Sequence, residues 1–415
     1  MDEGLIIKLY RERAGLTQAQ LGKGICSVTH VSKIERGLTQ CSKEIINLIC
    51  ERFNIDLQKE LEQNELLEKK LHEWLEVMVK QQIADIELLK QEIEDNTFVH
   101  VSEAHHFYRI LVARYFLLKG DMEKGRDILK SCQAHWNELD RYEKNLLEHT
   151  LGIYYLTLNK SKEAIHHLKN INPMEYNNHE FYFHLASASH YTNAKVKSYY
   201  YGNLALSYFR KTNNFKRILD SEMLMLAQMG SNDLDHFEDT VQQYQSLIKS
   251  CRTYQEEAKE INVWHNLGVE YFSKEYYKDA VDVYKKVLEM CESFQNPHLK
   301  LSALRGYVHS CLYIENLNNK EELKKCIYDG KEIANKTQNK TFEYVFHMLD
   351  ILLHDEDKKD YYPFLETTFL PHLREIGNNT LITLYEKELF QYYRKTSQYE
   401  KASGLAVRYI EFPAQ

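Results

Sequence analysis

The sequence predicts an almost entirely α-helical protein, a small helix-turn-helix domain followed by an array of repeated helix pairs, and three observations carry that expectation. Its 415 residues include only 15 glycines and 5 prolines, too few for the turns of a sheet-rich fold of this length. Leu16 to Gly37, LTQAQLGKGICSVTHVSKIERG, reads as two short helices across a glycine-containing turn. Trp264, Leu267, Gly268, Tyr271, Ala280 and Tyr284 reproduce the tetratricopeptide pattern W-x2-L-G-x2-Y followed by A-x3-Y.

Taken in order, Leu5, Ile6, Leu9, Tyr10 and Arg13 mark a first helix with an apolar face, closed by Gly15. Thr17 caps a second, over Gln18 to Leu21, which Gly22-Lys23-Gly24 ends in a tight turn. Ser27 caps a third helix, where Val31 and Ile34 form the buried stripe and Gly37 is the stop. Two helices so joined can lay the second one in the DNA major groove. Ile45, Ile46, Leu48, Ile49 and Phe53 give a fourth helix after Ser42.

From Asp56 to about Asn96 the chain is charged and free of glycine and proline, threaded by Leu57, Leu61, Leu66, Leu67, Leu71, Trp74, Leu75, Met78, Ile83, Ile86 and Leu89. One or two long helices are implied rather than a flexible linker. Beyond it, degenerate copies of the repeat occur at Ala113, Phe116, Gly125 and Leu129, at Leu151, Gly152, Tyr155, Ala164 and Leu168, and at Phe390, Tyr393, Ala402 and Ala406. Periodicity adds helix pairs near 179–210, 215–250, 298–335 and 341–375. Such pairs cannot bury their apolar faces singly, so a right-handed superhelix with a concave groove is expected. The division is 1–56 for the head, 57–96 for a helical linker and 97–415 for the repeats.

A net charge of −8 argues against a general nucleic-acid binder, but residues 1–56 hold eight Lys/Arg against seven Asp/Glu, leaving the head near +1. A weakly basic head on an acidic body needs two copies to hold DNA, so a dimer is expected. The eight cysteines form no C-x-x-C pair, which fits reduced thiols in the cytosol. No apolar signal core follows Met1 and no stretch approaches 18 apolar residues, so a soluble cytoplasmic chain is expected. Of the 19 histidines, His100, His105 and His106, or His179, His184 and His190, tempt a metal reading, but no H-E-x-x-H is present. Packed or surface histidines are the default, and no metal or cofactor is expected. No G-x-x-x-x-G-K-[ST] and no G-x-S-x-G occurs, so the chain does not read as an enzyme.

T-Q-x-x-L followed by S-x-x-x-[IV]-S-x-I-E-x-G resembles the Xre/Cro type of helix-turn-helix. With GICSVTHVSKIERG and the downstream repeats, the chain is similar to the RRNPP family of Gram-positive peptide-pheromone sensors. Cys41 stands where such domains usually carry proline. The resemblance implies that Ser27, Thr29, His30 and Lys33 face base edges, that Gln18 and Ser32 lie nearer the phosphates, and that Arg11 pairs with Glu35. It also implies a quorum-sensing transcription regulator whose partners are double-stranded operator DNA, a short linear signalling peptide and further copies of itself, as a dimer or tetramer, without a membrane. Rap-like relatives act instead on response-regulator phosphoproteins. The alternative is therefore a peptide-controlled module that sequesters a phosphorelay protein.

Asn203-Leu204-Ala205-Leu206-Ser207-Tyr208-Phe209 and Asn266-Leu267-Gly268-Val269-Glu270-Tyr271-Phe272 share N-L-[AG]-x-x-Y-F. An asparagine offers a donor and an acceptor, so inward-facing copies can clamp the main chain of an extended peptide. The expected peptide contacts are Asn262, His265, Asn266 and Val269 on one helix and Tyr200, Asn203 and Ser207 on another. The plainer reading of each is a solvated polar residue.

Overall fold

A computed structural model describes residues 3–39, 42–96, 99, 104–229, 237–294, 296–314, 319–354 and 358–411; Cys41 and His100 lie outside them. The fold is all-α, a helix-turn-helix domain followed by a tetratricopeptide-like superhelix, with no strand among the described residues. The chain forms two compact units, Met1–Tyr154 with Met174–Tyr176, and Tyr155–Pro173 with Asn177–Gln415. None of the described helices is long and apolar enough to cross a membrane.

In the first unit, α1 (Glu3–Arg13), α2 (Gln18–Gly22), α3 (Val28–Glu35) and α4 (Lys43–Phe53) enclose Ile7, Leu21, Val31, Ile34 and Ile49. α1 crosses α3 at Gly4, where a Cβ would fall 1.9 Å from the Ile34 carbonyl oxygen, so only glycine permits that approach. Two expectations about apolar faces are corrected here. Ile7, not marked in the sequence, is fully buried, and Leu48 is exposed on α4.

The stretch after Asp56 is a helix hairpin, α5 (Leu57–Val79) and α6 (Ile83–Glu94), turned by Gln81 at φ +57°. Trp74 is its pivot: the buried indole donates to the Ile86 carbonyl across the turn at 3.0 Å. Leu66 and Ile83 face solvent instead of the core. α5 also packs on α1, with the Tyr10 hydroxyl bonded to Glu60 and raised to about 12, first by burial and then by that carboxylate. Head and hairpin thus belong to one unit. α7 (His105–Leu118), α8 (Met122–Ala134) and α9 (Arg141–Thr157) follow.

The second unit runs through α10 (Ser161–Lys169), α11 (Phe181–Tyr191), α12 (Lys195–Lys211), α13 (Phe215–Met229), α14 (Phe237–Thr253), α15 (Glu257–Ser273), α16 (Tyr277–Ser293), α17 (Pro297–Leu312), α18 (Lys320–Lys336) and α19 (Lys340–His354). It continues with α20 (Tyr361–Phe364), a π-helical turn at Leu365–Phe369, α21 (Leu370–Glu375), α22 (Asn379–Lys395) and α23 (Tyr399–Glu411). The wide turn precedes Pro371, whose ring would otherwise collide with the preceding turn's carbonyl.

The tetratricopeptide residues do what their sizes suggest. Tyr284 of α16 lies between Gly268 of α15 and Gly306 of α17, where added Cβ atoms would come within 2.9 and 2.3 Å of its ring. Few glycines are needed elsewhere because helices close differently. Asn193, Asn213, Gln338 and Ser397 take φ between +52° and +59°. Each follows a threonine whose hydroxyl donates back to a carbonyl of the last turn, as Thr212 does to Tyr208 at 3.0 Å. The next amide reaches further back, Asn214 to the Phe209 carbonyl at 2.9 Å, which completes a Schellman closure.

Within this unit the odd-numbered helices from α11 to α19 pack against one another in succession. No comparable packing links the described parts of α12, α14, α16 and α18. In a curved stack the layer whose helices meet is the compressed, inner one, so α11, α13, α15, α17 and α19 line the inner face.

Candidate functional site

In the head, α2 and α3 each begin at a side-chain cap. Thr17 caps α2 in a reciprocal box, accepting from the Gln20 amide at 3.2 Å while the Gln20 side chain accepts from the Thr17 amide at 2.8 Å. The guanidinium of Arg52 closes the other end by donating to the carbonyls of Gln20, Leu21 and Lys23. Ser27 caps α3, its hydroxyl accepting from the His30 amide at 3.2 Å.

The expected ion pair is present. Arg11 donates from Nε and Nη2 to the two oxygens of the buried Glu35 at 2.5 and 3.1 Å, and Glu35 raises the Arg11 pKa. Gln18 does not stand free for a phosphate, since its Nε2 donates to Glu35 Oε2 at 2.8 Å. His30 and Ser32 are half-buried, and the His30 Nε2 is buried with no partner among the described residues. That leaves Thr29 and Lys33 exposed, with Ser27 at the cap. Val28, which sequence reasoning missed, is 48% exposed at the first position of α3. An apolar side chain directly after an N-cap was its only signal.

In the second unit the twin asparagine motifs separate. Asn262, His265, Asn266 and Val269 lie on α15 in the inner layer, whereas Tyr200, Asn203 and Ser207 lie on α12 in the other layer. Three helical steps divide the two motifs, and an odd step changes layer. On α12 all three side chains are exposed, and the Ser207 hydroxyl donates to the Asn203 carbonyl at 2.9 Å. On α15, Asn262 is exposed and returns its amide to the Ala258 carbonyl at 3.0 Å, Val269 is exposed, and His265 and Asn266 are half-buried. Burial, with the charge of Arg305 behind it, pushes His265 down to about 4.

The neighbouring α17 carries a stripe that sequence reasoning passed over: His298, Ser302, Arg305 and His309, spaced four, three and four residues apart on one helical face. His309 stacks on Phe272 at 4.8 Å and meets Tyr313 at 5.3 Å, and burial followed by Arg305 pushes it too to about 4. Tyr277 stacks on Tyr313 at 5.0 Å, and further along Tyr362 stacks on Tyr392 at 3.6 Å. Burial raises the carboxyl of Glu388, which accepts from the Tyr361 hydroxyl at 3.2 Å. The result is an aromatic, polar face with neutral imidazoles at pH 7. Burial also pushes the thiols of Cys251 and Cys326 up to about 11, which leaves them unreactive.

The family described as Helix-turn-helix (HTH_3) matches residues 7–59. Along nearly its whole length the chain is similar to the transcriptional activator NprA of Geobacillus stearothermophilus, 23% identical over 400 residues, 92% of this chain and 96% of that one. In its head and along its repeats the chain is thus similar to peptide-sensing regulators of the RRNPP kind. A second relative is the regulatory protein RapD of Bacillus subtilis, strain 168, 21% identical over 352 residues, 81% of this chain and 96% of that one. Among solved structures, that of NprR in complex with its cognate peptide NprX has the same fold, with a TM-score of 0.68 at 21% identity, covering 84% of this chain and 98% of that one. Both relatives are named as regulators.

Proposed function

We propose that this protein is a peptide-controlled transcription regulator, with residues 1–56 binding operator DNA as a dimer, 57–96 forming a helical joint and 97–415 binding a short linear peptide and mediating dimerisation. The observation that carries the reading is the capped, solvent-facing first turn of α3, with Thr29 and Lys33 exposed beside amide groups that favour phosphate. Near-full-length likeness to a transcriptional activator supports it. The peptide lies on the inner layer against Asn262, His265, Asn266 and Val269, and the likeness of fold to a peptide-bound structure supports that placement. Peptide binding biases the curvature of the array and with it the spacing of two heads on half-sites one helical turn apart. The setting is cytoplasmic.

The test is a gel-shift titration on a promoter fragment next to the protein's own gene. Thr29→Ala with Lys33→Ala is expected to abolish the shift while the circular dichroism spectrum stays unchanged. Unaltered binding removes α3 as the reader. On the peptide side, Asn266→Ala is expected to weaken affinity by about 1–3 kcal/mol, because a polar partner is left unpaired. Equal affinities by calorimetry remove Asn266 from the site.

A second reading is supported by the RapD likeness: a peptide-controlled module that sequesters a phosphorelay or response-regulator protein. A pull-down with and without peptide separates the two. A protein partner released by peptide, with no promoter shift, favours sequestration.

A further inference from the structure

Several cations on or beside the inner layer are paired. Arg217 and Lys259 pair with acids on or beside their own layer, Lys331 meets Asp350 at 2.6 Å and Arg374 meets Glu386 at 2.6 Å. Arg305, in the middle of α17 and half-buried, has no ion-pair or hydrogen-bond partner among the described residues.

Its surroundings make that state costly. The guanidinium lies close enough to His265, His298, His309 and Tyr284 to shift the titration of all four. The rings lower the local dielectric and supply no negative charge, and Arg305 itself keeps the imidazoles from charging. A cation so placed lacks full hydration on the protein side and gains nothing in exchange. A second atom on the same face is also open: His265 bonds to Asn266 and the Ser302 backbone, but its Nε2 is buried with no hydrogen-bond partner by distance and angle among the described residues. One planar fork of donors and one imidazole nitrogen, both without partners and set among aromatic rings, suit a planar anion more than any neutral group.

We propose that Arg305 is the receptor for a carboxylate of the bound peptide, with His265 Nε2 as a neighbouring polar contact. The inference rests on the peptide-binding reading above and narrows it: the signal carries a carboxylate at the point where it crosses α17, from an acidic side chain or from its own C-terminus.

The experiment offers the full-length protein two pools of heptapeptides randomised at every position, one ending in a free acid and one in a carboxamide, and sequences the retained peptides by mass spectrometry. Enrichment of Asp or Glu at one position in both pools identifies the side-chain source, and retention confined to the free-acid pool identifies the C-terminus. In either case Arg305→Met is expected to reduce the enrichment roughly 10–100-fold. Arg305→Lys, which keeps the charge and loses the fork, is expected to fall between and serves if the methionine variant does not fold. Retained peptides with no acidic preference, or a preference that survives Arg305→Met, overturn the proposal and leave peptide binding standing. A wild-type protein that retains nothing from either pool overturns both.

Discussion

Two stretches of one helical layer handle charge in opposite ways. Where α11, α13 and α15 meet, charges close on one another: Arg217 donates to the fully buried Glu180 at 2.9 Å and to Asp220 at 3.4 Å, and Lys259 pairs with Asp220. The Arg217 guanidinium also lies 4.8 Å from the centre of the Phe183 ring. Where α15 and α17 meet, Arg305 stands beside uncharged rings with no ion-pair partner among the described residues. The first stretch is electrostatically finished and the second is not. On the proposal above, the difference separates a structural seam from a surface that takes a ligand.

The strongest way to break this contrast is Arg217→Met. It removes the guanidinium partner of a fully buried carboxylate, and unfolding in urea is expected to show a loss of about 3–5 kcal/mol. A loss below 1 kcal/mol means the seam is held by packing alone. Gly306→Ala comes next, because its Cβ would press on a Tyr284 ring that has no free space, and a loss of about 1–3 kcal/mol is expected in the same assay.

The pH dependence sharpens the other side. His265 and His309 titrate near 4 when folded and near 6.5 in the unfolded chain. Between those values the unfolded state binds more protons, so their neutral packing contributes stability above about pH 6.5 that is lost as the pH falls towards 4. Thermal melts across that window are expected to show a shallower slope for His309→Phe. An unchanged slope places the proton uptake elsewhere. Smallest is Arg305→Met, expected to raise stability by up to about 1 kcal/mol, since no protein partner is lost and an unpaired cation is removed. A large destabilisation would make Arg305 part of the scaffold.

Much of the head was legible, for a physical reason: caps, glycine stops and the α2–α3 turn are written in consecutive residues, Thr17 and Ser27 each cap the helix expected of them, and the helix expected after Ser42 is present. Faces were less so. Leu48, Leu66 and Ile83 keep the apolar period yet face water, because periodicity defines a stripe and the neighbour that covers it is remote in sequence. The helix-closing residues were missed because Asn213 and Gln338 were not read as stops, although the threonine before each was a usable sign. Arg305 carries no motif at all. A lone arginine in a helix is ordinary until every acid near it has been counted.

The N-L-[AG]-x-x-Y-F pair marks the division most clearly. Sequence alone determined that Asn203 and Asn266 begin equivalent tightly packed helical faces, since small and aromatic residues at those spacings admit one kind of helix contact. Only the tertiary structure decided that they stand in opposite layers, because a layer is assigned by how many helices intervene and by which faces close on each other. That is a property of the whole stack, to which no short segment has access.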